Sequence, residues 1–213
     1  MKVIDIRFPS GELLLEGVLG LPEGDGPIPG VVVCHPHPLY GGSMDNNIVN
    51  SLCLAFVKAS IAAFKFNFRG VGGSQGTYRQ GEGEREDVAA AVSFISDRTE
   101  VDAARIGLAG YSAGAGFASL AGAGDARVKT LALVAPPLTM FDFNELMTCL
   151  KPKLLVCAGR DNFTSLSRSL DFYRGLPEPK EWHGIAEADH FWWGYEGQVA
   201  DKVTDFFVRS LKG

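Results

Sequence analysis

Five short apolar runs constrain this chain more than any other feature: Val31-Val32-Val33-Cys34, Ile61 to Phe68, Ile106-Gly107-Leu108-Ala109, Leu131 to Ala135 and Leu154 to Ala158. Read as strands, they lack the polar face that one-sided burial would leave, so helices must cover both sides, as in a parallel sheet. Amphipathic stretches lie between and after them. Ile48, Leu52, Ala55 and Phe56 share one helical face, as do Val88, Ala91, Val92 and Ile95, and later Val199, Val203 and Phe206. At the head of the chain Ile4, Ile6 and Phe8 alternate with Asp5 and Arg7, and Pro9-Ser10-Gly11 breaks the run before Glu12 to Leu21, the pattern of an antiparallel opening pair. With no linker, repeat or low-complexity segment, residues 1–213 are expected to form a single α/β domain. Right-handed crossovers in such a sheet bring the chemistry-bearing loops to the carboxyl ends of the strands.

Charge and cysteine usage narrow the functional classes. Lys and Arg total 20 against 25 Asp and Glu, a formal net charge of −5, and no basic run interrupts the chain. Nucleic acid and anionic membrane surfaces are therefore not expected as partners. No apolar run approaches the roughly 18 residues of a membrane span, and Met1 to Asp5 leads into a strand-like stretch with no signal-peptide core. Cys34, Cys53, Cys149 and Cys157 show no CxxC spacing, and three of them sit in apolar segments. Free thiols in a reducing compartment, hence a soluble cytoplasmic protein, is the expectation. The sequence leaves a homodimer open.

The chemistry centres on Gly110-Tyr111-Ser112-Ala113-Gly114. This G-x-S-x-G stands between an apolar strand and a small-residue helix, the context of a nucleophile elbow. A turn so tight excludes bulky side chains two residues before and after the serine, which Gly110 and Gly114 satisfy. A serine needs a base, and the base needs a group to orient it. Of the four histidines, His190 lies in the loop before the last helix, whereas His183 falls inside the strand from Lys180 to Gly184 and reads as structural. His35 and His37 precede the serine, against the order nucleophile, acid, histidine. The acid is expected at Asp161, just after the strand ending at Ala158; Asp189, Asp142, Glu145 and Glu187 are weaker alternatives. The oxyanion donors are expected to be the N–H of Ala113 and one from the loop after Cys34. Pro36 and Pro38 have no N–H, which leaves His37, Leu39 and Tyr40, with His37 favoured. His35 and His37 lack further ligands at metal-binding spacing, so no metal is expected.

Together these residues resemble the α/β-hydrolase superfamily, and within it small bacterial hydrolases related to dienelactone-hydrolase-like and esterase-like proteins. The landmarks are His35-Pro36-His37-Pro38 with Gly41-Gly42-Ser43-Met44, then Phe66-Asn67-Phe68-Arg69-Gly70-Val71-Gly72, Gly81-Glu82-Gly83-Glu84 with Asp87, Gly110 to Gly114 and Asp189-His190-Phe191. The resemblance implies the α/β-hydrolase fold, with a mostly parallel central sheet of about eight strands, helices on both faces and an antiparallel N-terminal pair. It also implies a triad of Ser112, Asp161 and His190. Family members commonly carry Gly-x-x-Asp at the acid, which counted from Gly159 would select Asn162; the register that keeps a carboxylate selects Asp161. Dienelactone hydrolases use cysteine where this chain has Ser112.

The stretch from Ala135 to Lys153 is too short for a cap domain, so an open site is expected. Leu39, Tyr40, Tyr111 and Trp192 are the expected substrate contacts, with Phe141, Phe163 and Trp193 as further walls. Arg69 is expected to pair with Glu82, Glu84 and Asp87. The function read from these residues is a serine hydrolase cleaving a small carboxylic ester through an acyl-enzyme on Ser112, without cofactor. An acyltransferase, thioesterase or peptidase could use the same triad, and a non-catalytic binding protein could share the fold.

Overall fold

A computed structural model describes residues 1–24 and 26–213. The opening hairpin pairs β1 (Lys2–Ser10) with β2 (Leu13–Leu21), and β3 (Ile28–Cys34) follows. Then α1 (Asn47–Lys58), β4 (Ala62–Phe66), α2 (Glu82–Ser96), β5 (Val101–Tyr111), α3 (Ala113–Gly122) and β6 (Val128–Val134) alternate. The chain closes with β7 (Lys153–Ala158), α4 (Leu166–Gly175), β8 (Lys180–Ile185) and α5 (Glu196–Lys212). One sheet of eight strands results, in the order β1-β2-β4-β3-β5-β6-β7-β8. It is antiparallel through β1, β2 and β4 and parallel from β4 to β8.

The apolar runs form strands because both faces of the sheet are covered. Along β3, Val32 and Cys34 point into a core closed by α2 and α3, whereas Val31 and Val33 point into a second core closed by α1 and α5. Each inward Val, Leu or Phe contributes roughly 1.5–3 kcal/mol on removal from water. The ten residues of α4 were not marked as a helix by sequence pattern: only Ser169 is buried there, and Ser165 caps the first turn by accepting the Arg168 N–H. Between β6 and β7 the chain forms a single 3-10 turn, Asn144–Met147. With only this turn between β6 and β7, the carboxyl edge of the sheet carries no lid.

Arg69 and Asp87 tie the loop after β4 to α2. Asp87 is fully buried and accepts from the Arg69 backbone N–H, the Arg69 guanidinium and the Ser10 hydroxyl. The expectation for the rest of this network needs correction. Glu86, not Glu82 or Glu84, is the second partner of Arg69, at 3.0 Å. Glu84 turns back to accept the N–H of Gly81, the residue that caps α2, and that of Arg79 in the loop before it.

A second tie passes through His35, directly after β3. Its ring is fully buried: Nε2 accepts the Phe68 N–H at 3.1 Å, and Nδ1–H donates to the Pro36 carbonyl at 2.7 Å. Only the neutral ring satisfies both, and burial lowers its pKa from 6.5 to about 4. As pH falls the unfolded chain takes up this proton first. The contribution of the neutral ring to stability is complete above about 6.5 and is lost toward pH 4, about 3 kcal/mol in all. Urea unfolding between pH 7 and 4.5 is expected to show that decline in the wild type and a flatter profile in His35→Asn; parallel profiles would contradict the assignment.

Candidate active site

Ser112 sits between the last residue of β5 and the first of α3, at φ 54° and ψ −122°. Left-handed φ is unfavourable for a side chain with Cβ, so the surroundings must hold it there. They do so through backbone contact. A Cβ on Gly110 would lie 2.2 Å from the Gly114 carbonyl oxygen, and one on Gly114 would lie 2.3 Å from that of Cys34. Without side chains at these two positions, α3 starts directly against the ends of β5 and β3. The Ser112 N–H is anchored to the Val134 carbonyl at 2.9 Å, leaving its hydroxyl at the carboxyl edge.

Three side chains from three loops meet there. Ser112 Oγ lies 2.9 Å from His190 Nε2, and His190 Nδ1–H donates to Asp161 Oδ2 at 2.8 Å. Because a carboxylate only accepts, Nδ1 carries the proton and Nε2 is left to accept from the serine. Asp161 and His190 are nearly enclosed, with side-chain exposures of 4% and 6%. The other Asp161 oxygen accepts the N–H groups of Phe163 and Thr164, which fixes the carboxylate from behind. Asn162 points out to solvent, and Asp189 accepts the N–H groups of Phe191 and Trp192 within its own turn.

Two backbone donors flank the serine. Among the described residues the N–H groups of Ala113 and His37 donate to no other group. The other N–H groups considered in that loop are engaged: Leu39 donates to His37 Nδ1 at 3.2 Å and Tyr40 to the His37 carbonyl at 3.1 Å. The His37 ring lies between those of Tyr40 and Tyr78, and partial burial lowers its pKa against the opposing charge of Glu84.

A cavity of about 160 Å³ opens beside Ser112, and His37, Ala113 and His190 line it. Tyr40, Tyr111 and Phe163 form walls as expected, and the Tyr111 hydroxyl donates to the His190 carbonyl at 2.8 Å. Two expected contacts are corrected. Trp192 is 0% exposed and packs in the core under α1 and α5, so it anchors the His190 loop and touches no substrate space. Leu39 is 67% exposed and lies outside the cavity, because the 3-10 turn Pro38–Tyr40 directs it to solvent. Trp193 is likewise exposed, and Phe141 packs on Phe117 beside Gly116. Phe191, Met140 and Pro137 line the cavity and were missed, since nothing in their local pattern separates a wall from a surface residue. Among the described residues no group of three or more His, Cys, Asp or Glu is placed to hold a metal ion.

Comparison with known proteins places this arrangement in a family. The sequence model of the X-Pro dipeptidyl-peptidase (S15) family matches residues 13–159, which include Ser112 and end before Asp161. An uncharacterized protein of Rickettsia prowazekii is 27% identical over 188 residues, 84% of this chain and 79% of its own length. An α/β serine hydrolase homologue from Coxiella burnetii is 32% identical with a TM-score of 0.83, covering 99% of this chain and 97% of that one. A lidless α/β serine hydrolase from Xanthomonas campestris is 26% identical with a TM-score of 0.86, covering 100% of this chain and 96% of that one. The chain belongs to the α/β serine hydrolases, within the family described as X-Pro dipeptidyl-peptidase (S15).

Proposed function

We propose that this protein is a serine hydrolase that cleaves a small carboxylic ester through an acyl-enzyme on Ser112. The observation that carries the reading is the continuous hydrogen-bonded line from Ser112 Oγ through the His190 ring to Asp161, at 2.9 and 2.8 Å. Ser112 attacks the acyl carbonyl while His190 Nε2 takes its proton, and Asp161 holds the ring in the tautomer that makes this transfer feasible. Negative charge developing on the carbonyl oxygen is met by the N–H groups of Ala113 and His37, whose freedom from other partners suits them to that task. His190 returns its proton to the departing alcohol, then activates the water that releases the acid.

A peptidase reading of the same residues has the family description in its favour. The cavity supports the ester reading, because none of its lining side chains is acidic and a released dipeptide would bring a free ammonium group with no partner. No helix among the described residues is long and apolar enough to cross a membrane. The four cysteines carry no disulfide, which supports placing the protein in the reducing cytoplasm.

A fluorophosphonate probe is expected to label the wild type and not Ser112→Ala; a folded wild type that never labels would sink the catalytic reading. Asp161→Asn is expected to lower kcat by about 10⁴, as loss of the correct tautomer does elsewhere. Asn162→Asp is expected to stay within a few-fold of wild type on p-nitrophenyl butanoate. Wild-type-like turnover by Asp161→Asn would reassign the acid.

A further inference from the structure

The cavity beside Ser112 is walled mainly by apolar and aromatic side chains, with the uncharged amide residue Asn46 also on its lining. Tyr40, Tyr111, Pro137, Met140, Phe163 and Phe191 supply its walls, and among the described residues no Asp, Glu, Lys or Arg lines it. Asp161 is shut behind His190, to which one of its oxygens is committed. The charged side chains gather on the other side of a partition: a neighbouring groove is lined by Glu82, Arg85 and Asp142, and His37 and Met140 line both spaces. His37 is held on that boundary by Tyr78 Oη, 3.2 Å from its Nε2. Met140, 46% exposed, stands beside it on the same boundary.

From this segregation we infer that the substrate's acyl group is compact and uncharged, with a tail of no more than about six carbon atoms, and that Met140 sets the limit. The inference rests on the acyl-enzyme reading of Ser112. During the reaction the acyl group stays bonded to the serine while the alcohol leaves, so the cavity next to Ser112 is assigned to the acyl tail. A cavity of about 160 Å³ matches the size that takes up a benzene-sized group. A charged tail in the same space would lose its water with no counter-charge to replace it.

Two substrate series test the inference, with fluorophosphonate labelling of Ser112 as the control. On p-nitrophenyl esters, kcat/KM is expected to rise up to about fourfold per methylene from acetyl to a maximum between butanoyl and hexanoyl, as each added methylene is buried. It is then expected to fall at least tenfold by decanoyl. On ethyl esters followed by proton release, ethyl 4-methylpentanoate is expected to exceed its charged isostere monoethyl succinate at least a hundredfold. Met140→Ala, which removes a side chain shared by cavity and groove, is expected to raise the decanoyl-to-butanoyl ratio at least fivefold. Equal turnover of decanoyl and butanoyl esters, charged and neutral isosteres within tenfold, or an unchanged ratio in Met140→Ala would each overturn the inference. A protein that labels but does not discriminate loses this inference alone, whereas one that never labels loses the hydrolase reading.

Discussion

Everything at the carboxyl edge of the sheet depends on one backbone contact, the start of α3 against the ends of β5 and β3. The positions of Gly110 and Gly114 have no room for a side chain: Cβ atoms there would fall 2.2 Å and 2.3 Å from carbonyl oxygens. That proximity lets the chain leave a strand and enter a helix across the single residue Ser112, in a backbone state that a free serine would avoid. The strain is supported by two covered sheet faces, where the apolar strand residues have almost no exposure. Because α3 begins against the carbonyl of Cys34, the same contact brings the loop carrying His37 beside the serine.

The partners of Ser112 are held by a different device. The loops after β7 and β8 are short irregular segments, and local hydrogen bonding sets their shape. Asp161 accepts two N–H groups from its own turn, and Asp189 does the same for the turn that follows it. Trp192, at φ 61°, is driven into the core under α1 and α5 and pins the second loop. The Tyr111 hydroxyl, one residue from the serine, holds the His190 carbonyl and so couples the two halves of the site. The hydrogen-bonded line from Ser112 through His190 to Asp161 is thus held in place by the fold itself.

The fold was largely legible because burial on both faces leaves a mark that needs no partner to be read. Val31 to Cys34 or Leu154 to Ala158 can hardly be anything but inner strands. Ser112 and His190 were legible for a related reason: the elbow imposes its glycines locally, and the histidine follows from the order of the loops. The misassignments share a cause as well. Trp192 and Leu39 are large apolar residues in loops, and whether such a residue is a wall, an anchor or a surface side chain depends on the direction of one backbone turn. Glu84 and Glu86 lie two residues apart on α2, so helical geometry alone decided which faced Arg69 and which capped the helix. The helix α4 left little trace because it buries almost nothing.

The sequence by itself determined the α/β class of this protein, the succession of strands and helices along the chain, and the choice of Ser112 and His190 as candidate site residues. Those depend on periodicity and on tight turns, both properties of neighbouring residues. Tertiary structure decided which carboxylate meets His190, which N–H groups remain free near Ser112, and that Glu82, Arg85 and Asp142 line the groove across Met140 and His37 rather than the cavity. Each of these concerns residues far apart in the chain, whose distances exist only once the sheet has folded.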